Sequence, residues 1–154
     1  MISVQRGDFD HCEQYQALKE EADGDGAVVT FTGLVRDFNI QGAVSGIRIE
    51  HYPGMTEKSL MHICSEARKR WQLGQIRVIH RVGTIGPQEQ IVFVGVTSKH
   101  RKNAFEACEF IIDYLKTSAP LWKQEGTSEG MKWVTSRSSD QEAMDRWANT
   151  ASLS

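Results

Sequence analysis

The sequence predicts an α+β domain, with a mixed or mainly antiparallel sheet and two principal helices on one face. Two apolar stripes and a series of short β-rich runs predict it. Leu60, Ile63, Cys64, Ala67 and Trp71 recur at spacings of three and four, as do Ala104, Phe105, Cys108, Ile111, Ile112 and Leu115. Around them stand runs such as Ala27-Val-Val-Thr-Phe-Thr32 and Ile91-Val-Phe-Val-Gly-Val96, too short for helices and bounded by turn formers.

In chain order, Ile2-Ser-Val-Gln5 is expected to form a short edge strand, and Phe9 to Ala22 a modest helix ended by Asp23-Gly-Asp-Gly26. The run 27–32 is a strand that leads into Gly33. Residues 37–46 hold two glycines and an asparagine and read as a mobile loop. Ile47-Arg-Ile-Glu-His-Tyr52 alternates, which suits a sheet covered on one face. Pro53-Gly54 turns the chain, and Thr56 is placed to cap a helix through Trp71, with Glu57 in its first turn.

Ile76 to Val82 is a further strand, and 83–89 a connection. The run 91–96 is apolar on both faces and should be central and doubly covered. Ser98 is placed to cap the next helix, which Ala119-Pro120 should end, because proline lacks the donor and restricts the residue before it. Lys123 then falls on a less regular segment. Met131-Lys-Trp-Val134 is a short strand, and Asp140 to Trp147 a last helix. Residues 148–154 should fray, and nothing divides 1–154 into more than one domain.

Eighteen basic and twenty acidic residues leave a formal charge of -2, which argues against non-specific adhesion to nucleic acid or an anionic membrane. No apolar run approaches the roughly 20 residues that cross a bilayer. Cys12, Cys64 and Cys108 are far apart, with no Cys-x-x-Cys pair, so a reducing, cytoplasmic setting is expected. Phosphate-loop, dinucleotide, zinc-protease and paired-cysteine signatures are absent, as is a Gly-x-Ser-x-Gly elbow. No metal or cofactor is therefore expected. His51 and His80 lie on strands and read as cross-strand or surface residues.

Chemistry is expected at the junctions. Arg36 follows a strand end, and His100 and Arg101 open a helix whose free N–H groups favour an anion. Lys116 and Lys123 bracket the Thr-Ser-Ala-Pro-Leu-Trp break at the other end of that helix. Ordinary roles exist for all of them: helix-end charge for Lys116, solubility for Lys123, a solvated first turn for Arg101. Cations in a first turn oppose the helix dipole, however, which favours an anion-binding role there. From residue 99 to 116 the helix is about 25 Å long, so one copy cannot bring Arg101 and Lys116 to one small ligand. Either they serve parts of an extended partner, or a symmetric dimer joins opposite ends. On these residues alone a phosphate-binding module and a small cyclic-phosphate hydrolase stay open.

Longer blocks narrow the choice. Gly26-Ala-Val-Val-Thr-Phe-Thr-Gly-x-Val-Arg36, Glu50-His-Tyr-Pro-Gly-Met55, Val78-Ile-His-Arg-Val-Gly83, Val94-Gly-Val-Thr-Ser-x-His-Arg101 and Asp113-Tyr-Leu-Lys-Thr-x-Ala-Pro-Leu-Trp-Lys123 together resemble the large, catalytic subunit of molybdopterin synthase. The resemblance runs from about residue 24 to 147.

It implies an α/β hammerhead with a small added β-rich subdomain. It also implies a homodimer that carries two small ubiquitin-like sulfur carriers as a heterotetramer. The carrier's Gly-Gly thiocarboxylate would donate sulfur to cyclic pyranopterin monophosphate, giving the dithiolene. Lys116 and Lys123 match the catalytic lysines. Leu34, Val35, Arg36, His100, Arg101, Gln124, Glu125 and Arg137 match substrate-pocket positions. Phe31 is placed either against the pocket or in the core. Leu34 departs from the pattern, since many relatives carry lysine before the Val-Arg pair. Nothing chooses between pocket and interface for Arg70 and Arg81.

Overall fold

The computed structural model describes residues 1–36, 38–39, 42–43, 46–127, 130–134 and 138–152. Its elements in order are β1 (Ile2–Gln5), α1 (His11–Glu21), β2 (Ala27–Leu34), β3 (Phe38–Asn39), β4 (Gly42–Ala43), β5 (Ile47–His51), α2 (Met55–Arg70), β6 (Ile76–Arg81), β7 (Gly83–Ile85), β8 (Gln90–Ser98), α3 (Arg101–Ser118), β9 (Leu121–Thr127), β10 (Gly130–Val134) and α4 (Ser138–Ser152). The α+β class and the mainly antiparallel pairing match the expectation; among the described residues only β1 and β6 run parallel.

Two four-stranded sheets carry the fold, in the orders β1-β6-β8-β2 and β10-β9-β5-β7. The chain passes between them at Val82, where Gly83 takes a φ of 87°, a conformation that glycine adopts without strain. In the first sheet β8 is central and buried, as its doubly apolar pattern predicts. One face lies under α2 and α3, where Leu60, Ile63 and Ala67 meet Val78, Val94, Ala107, Ile111 and Leu115. The other lies under α1, where Leu18 packs with Phe9, Ile79 and Phe93. Ile47, Ile49, Val82 and Ile85 make a smaller core at the second sheet. Cys64 and Cys108 are buried thiols, and burial pushes them up to about 11 and about 12.

Several expectations are corrected. Thr56 does not cap α2: the chain turns at Gly54 (φ 85°), and Glu57 reaches back to the Gly54 N–H at 2.5 Å. The Thr56 hydroxyl lies 3.1 Å from the Tyr52 carbonyl and 3.2 Å from that of Pro120, so it ties α2 to the start of β9. Ser98 does not cap α3 either. It completes β8, its hydroxyl donates to the Gln72 carbonyl (2.8 Å), and His100 takes the cap position. Lys123 lies on a regular strand, because β9 finds partners on both sides in β5 and β10. Isolated sequence could not reveal that pairing. The connection at 83–89 contains β7, and the described residues within 37–46 form the β3–β4 pair and lead into β5. Helix α4 extends beyond the expected 140–147.

Candidate functional site

Strand pairing decides where each basic residue lies. β2 and β8 are antiparallel, with Ala27 opposite Ser98 at one end and Leu34 opposite Gln90 at the other. α3 leaves β8 after two residues and runs back over the sheet; the thiol of Cys108, midway along it, lies 3.8 Å from the Val94 carbonyl. Lys116 in the last turn therefore lies toward the Gln90 end, with Arg36. His100 and Arg101 lie at the Ser98 end, about 23 Å from Lys116 along α3.

At the first end, Val35 is buried and its backbone is pinned. Its N–H donates to the Glu89 carbonyl, and its carbonyl accepts from the Gln88 N–H, both at 2.9 Å. Arg36 emerges exposed just beyond this clamp, and Leu34 is 49% exposed. Lys116 is exposed while the adjacent Leu115 is buried under the helix, so the lysine is presented from a fixed base. β9 follows at once. Lys123 is half-buried, in register with Ile49 of β5 and sharing the inward face with Leu121. Trp122 and Gln124 alternate to the other face, where Trp122 is 48% exposed. Glu125 continues β9, opposite Ile47. Arg137 lies outside the described residues.

His80 was missed by the sequence reading. It is only 2% exposed, in the cross-strand row Val4–His80–Val92–Gly33 that leads toward Arg36. Its Nδ1 lies 2.7 Å from the Arg81 carbonyl oxygen and carries the proton of that bond. Burial, with the positive charges of Lys123 and His51 nearby, brings it down to about 4, so it is neutral at pH 7. The available signal was its strand, Ile76 to Val82, apolar on both sides of the histidine.

At the far end Lys99, His100, Arg101 and Lys102 are all exposed. His100 makes no side-chain cap bond and no acidic residue lies in the first turn, so free N–H groups and cations coincide. Phe31 is 39% exposed on β2, which rules out the core role for it.

Arg81 and Arg70 are structural. Arg81 holds the Gln90 carbonyl at 2.9 Å and the Arg6 carbonyl at 3.2 Å. Arg70 holds the Trp147 carbonyl at 3.0 Å and stacks over Phe110. Among the described residues no group of three or more His, Cys, Asp or Glu side chains is placed to hold a metal ion. No helix is long and apolar enough to cross a membrane.

Fold and site define an α+β protein with Arg36 and Lys116 toward one end of its first sheet, Lys123 on the second, and an anion-favouring helix start at the other end of the first. The MoaE protein family model matches residues 4–118. A molybdopterin synthase catalytic subunit from Escherichia coli K12 is 59% identical over 135 residues, 88% of this chain and 89% of that one. The solved molybdopterin biosynthesis MoaE protein from Burkholderia ambifaria is 44% identical with a TM-score of 0.83, covering 96% of this chain and 97% of its own. The fold also matches, at 24% identity and a TM-score of 0.74, a chain from the complex of subunits 1 and 2 of molybdopterin-converting factor of Helicobacter pylori; that match covers 89% of this chain and 92% of the other. The chain belongs to the MoaE family, the catalytic subunits of molybdopterin synthase.

Proposed function

We propose that this chain is a cytoplasmic sulfurtransferase, the catalytic subunit of molybdopterin synthase. It moves sulfur from the thiocarboxylated C-terminus of a small ubiquitin-like carrier to cyclic pyranopterin monophosphate. The carrying observation is that Arg36 and Lys116 lie toward the same end of the sheet while Lys123 stands near a buried, neutral His80, in a chain that belongs to this family. Sulfur arrives activated as the leaving part of an acyl group, so positioning and charge stabilisation suffice. The ammonium of Lys116 binds the thiocarboxylate and stabilises charge developing at its carbonyl. Lys123, set on a paired strand, holds the tail or the pterin. Arg36, His100 and Arg101 grip the phosphate, and His100 exchanges a proton as the cyclic phosphate opens. Leu34, Val35, Gln124, Glu125 and Arg137 are assigned to substrate binding by their match to the family's positions. Leu34, where many relatives have lysine, removes one peripheral phosphate contact. No metal or nucleotide takes part in this scheme.

The site is divided within one copy, and a homodimer completes it. Among the described residues β2 is an edge strand of its sheet. Two-fold antiparallel pairing along that edge would set residue 27 of one copy beside residue 34 of the other. The His100–Arg101 end of one copy would then meet the Arg36–Lys116 end of its partner. Exposed Phe31 and Leu34 on the same strand favour a covered edge. In this reading residues 1–154 form one hammerhead domain, and the β10-β9-β5-β7 sheet is its added subdomain.

The test is a single-turnover incubation of the purified chain with thiocarboxylated carrier and cyclic pyranopterin monophosphate, followed by mass spectrometry of both. The carrier should lose mass by the sulfur-for-oxygen difference as dithiolene product appears. Precursor consumed without carrier would point instead to a cyclic-phosphate hydrolase. A tight complex with both molecules unchanged would leave only a binding module.

A further inference from the structure

We infer that the Asp25–Gly26 turn is a positioning bracket for His100 and Arg101, so that two residues that touch no ligand set the affinity of the phosphate-binding end. The inference rests on the function proposed above and deepens it. Strand β8 ends at Ser98 and α3 begins at Arg101, so only Lys99 and His100 join them. Where the first turn of α3 points depends on what holds residues 97–100.

That short stretch is held from three sides. The Thr97 hydroxyl donates to Asp25 Oδ2 at 2.7 Å and accepts from the Gln75 N–H at 2.7 Å. The Thr97 backbone is bound to Gln75 and Gly74, at 2.9 and 2.8 Å. The Ser98 hydroxyl donates to the Gln72 carbonyl, and the Ser98 carbonyl accepts from the Gly26 N–H at 3.1 Å. Thr97 and Ser98 are essentially unexposed, so these bonds are made away from competing water.

Close approach completes the bracket. A Cβ on Gly26 would stand 2.8 Å from the Lys99 carbonyl oxygen, a backbone atom that cannot swing aside. A Cβ on Gly74 would stand 1.8 Å from Asp25 Oδ2. The turn therefore seats directly against the residue before His100. The polar groups at the end of β8 are engaged in holding position, while His100 makes no side-chain cap bond and keeps its ring for a ligand. A small displacement here moves two phosphate-binding side chains together.

The test uses the complete enzyme with its carrier and measures kcat and KM for cyclic pyranopterin monophosphate. Asp25→Ala and Gly26→Ala should raise KM about tenfold with kcat within about twofold, because misplacing a binding group by a fraction of an ångström weakens binding. Asp25→Asn should keep KM near that of the unaltered protein, since its side-chain oxygen still accepts from Thr97. Ile79→Val, a core change under α1, supplies the control: it lowers Tm and leaves KM where it was. A folded Asp25→Ala and Gly26→Ala pair with unaltered KM would overturn the bracket, and so would an Asp25→Asn protein as impaired as Asp25→Ala.

A second measurement separates this idea from the proposed function. Inorganic phosphate is titrated against the protein while the His100 imidazole is followed by NMR. A phosphate-dependent shift that Gly26→Ala abolishes supports the bracket even if sulfur transfer fails. An equal shift in both proteins, or none in the unaltered protein, overturns it.

Discussion

The indole Nε1 of Trp147 donates to Asp113 Oδ2 at 2.6 Å, and this bond fastens α4 to α3 one turn before Lys116. The same ring meets Trp71 and Phe110 edge-on, with centroids 5.5 and 5.6 Å away. α4 thus closes over the α2–α3 pair and tethers the C-terminal end of the segment bearing β9 and β10. Trp147→Ala should cost about 3–5 kcal/mol by removing a large buried aromatic. Trp147→Phe keeps most of the packing and loses the donor, costing about 1–3 kcal/mol. Urea unfolding measures both, and a Trp147→Ala cost below that of Trp147→Phe would contradict the assignment.

His80 makes stability depend on pH. Its folded value of about 4 lies below the ordinary 6.5, so between these values the unfolded chain binds the extra proton. The contribution is complete above about pH 6.5 and is lost as pH falls toward 4, amounting to ~3 kcal/mol over that window. Unfolding curves at several pH values should show this slope. His80→Leu should flatten it, and an unchanged slope would place the dependence elsewhere.

Lys116 is exposed, so Lys116→Ala should abolish sulfur transfer while costing at most about 1 kcal/mol of helix-end stabilisation. A folded variant with undiminished transfer would remove the residue from the mechanism.

The divided site makes a sharper prediction. Lys116→Ala and Arg101→Ala proteins should each be inactive, yet a mixture that exchanges subunits should recover about a quarter of full activity. Half of the dimers would be mixed, each with one intact site. If both residues serve one copy, mixing restores nothing.

Gly95 lies in the centre of β8, and a Cβ there would stand 2.3 Å from Leu18 Cδ1 and 3.0 Å from the Phe93 ring. Leu18 is fully buried and has no room to retreat. Gly95→Ala should destabilise by about 1–3 kcal/mol, read by thermal unfolding, and Leu18→Ala on the same background should recover part of that loss.

Much of this was legible in the sequence. The stripes at 60–71 and 104–115 marked most of the buried faces of α2 and α3, except that Phe105 is 60% exposed while Phe110, outside the stripe, is buried; the run at 91–96 marked a central strand. These patterns are local: a helix or strand that must bury one face, or both, writes that need into consecutive residues. The basic residues were likewise found by their positions at element ends. Caps were less legible, because Thr56 and Ser98 have the right chemistry for capping but were taken by distant backbone at Pro120 and Gln72. Lys123 sat on an unrecognised strand for the same reason, since β9 owes its regularity to β5 and β10.

The sequence by itself determined the fold class, most of the buried faces of its two long helices, the family resemblance and the candidate groups. Only the tertiary structure decided that Arg36 and Lys116 lie toward one end and His100 and Arg101 toward the other, that His80 is buried near Lys123, and that Asp25 grips Thr97. The physical reason is that propensity and amphipathic period act over a few residues, whereas strand register and side-chain bonds across tens of residues exist only after the core has closed.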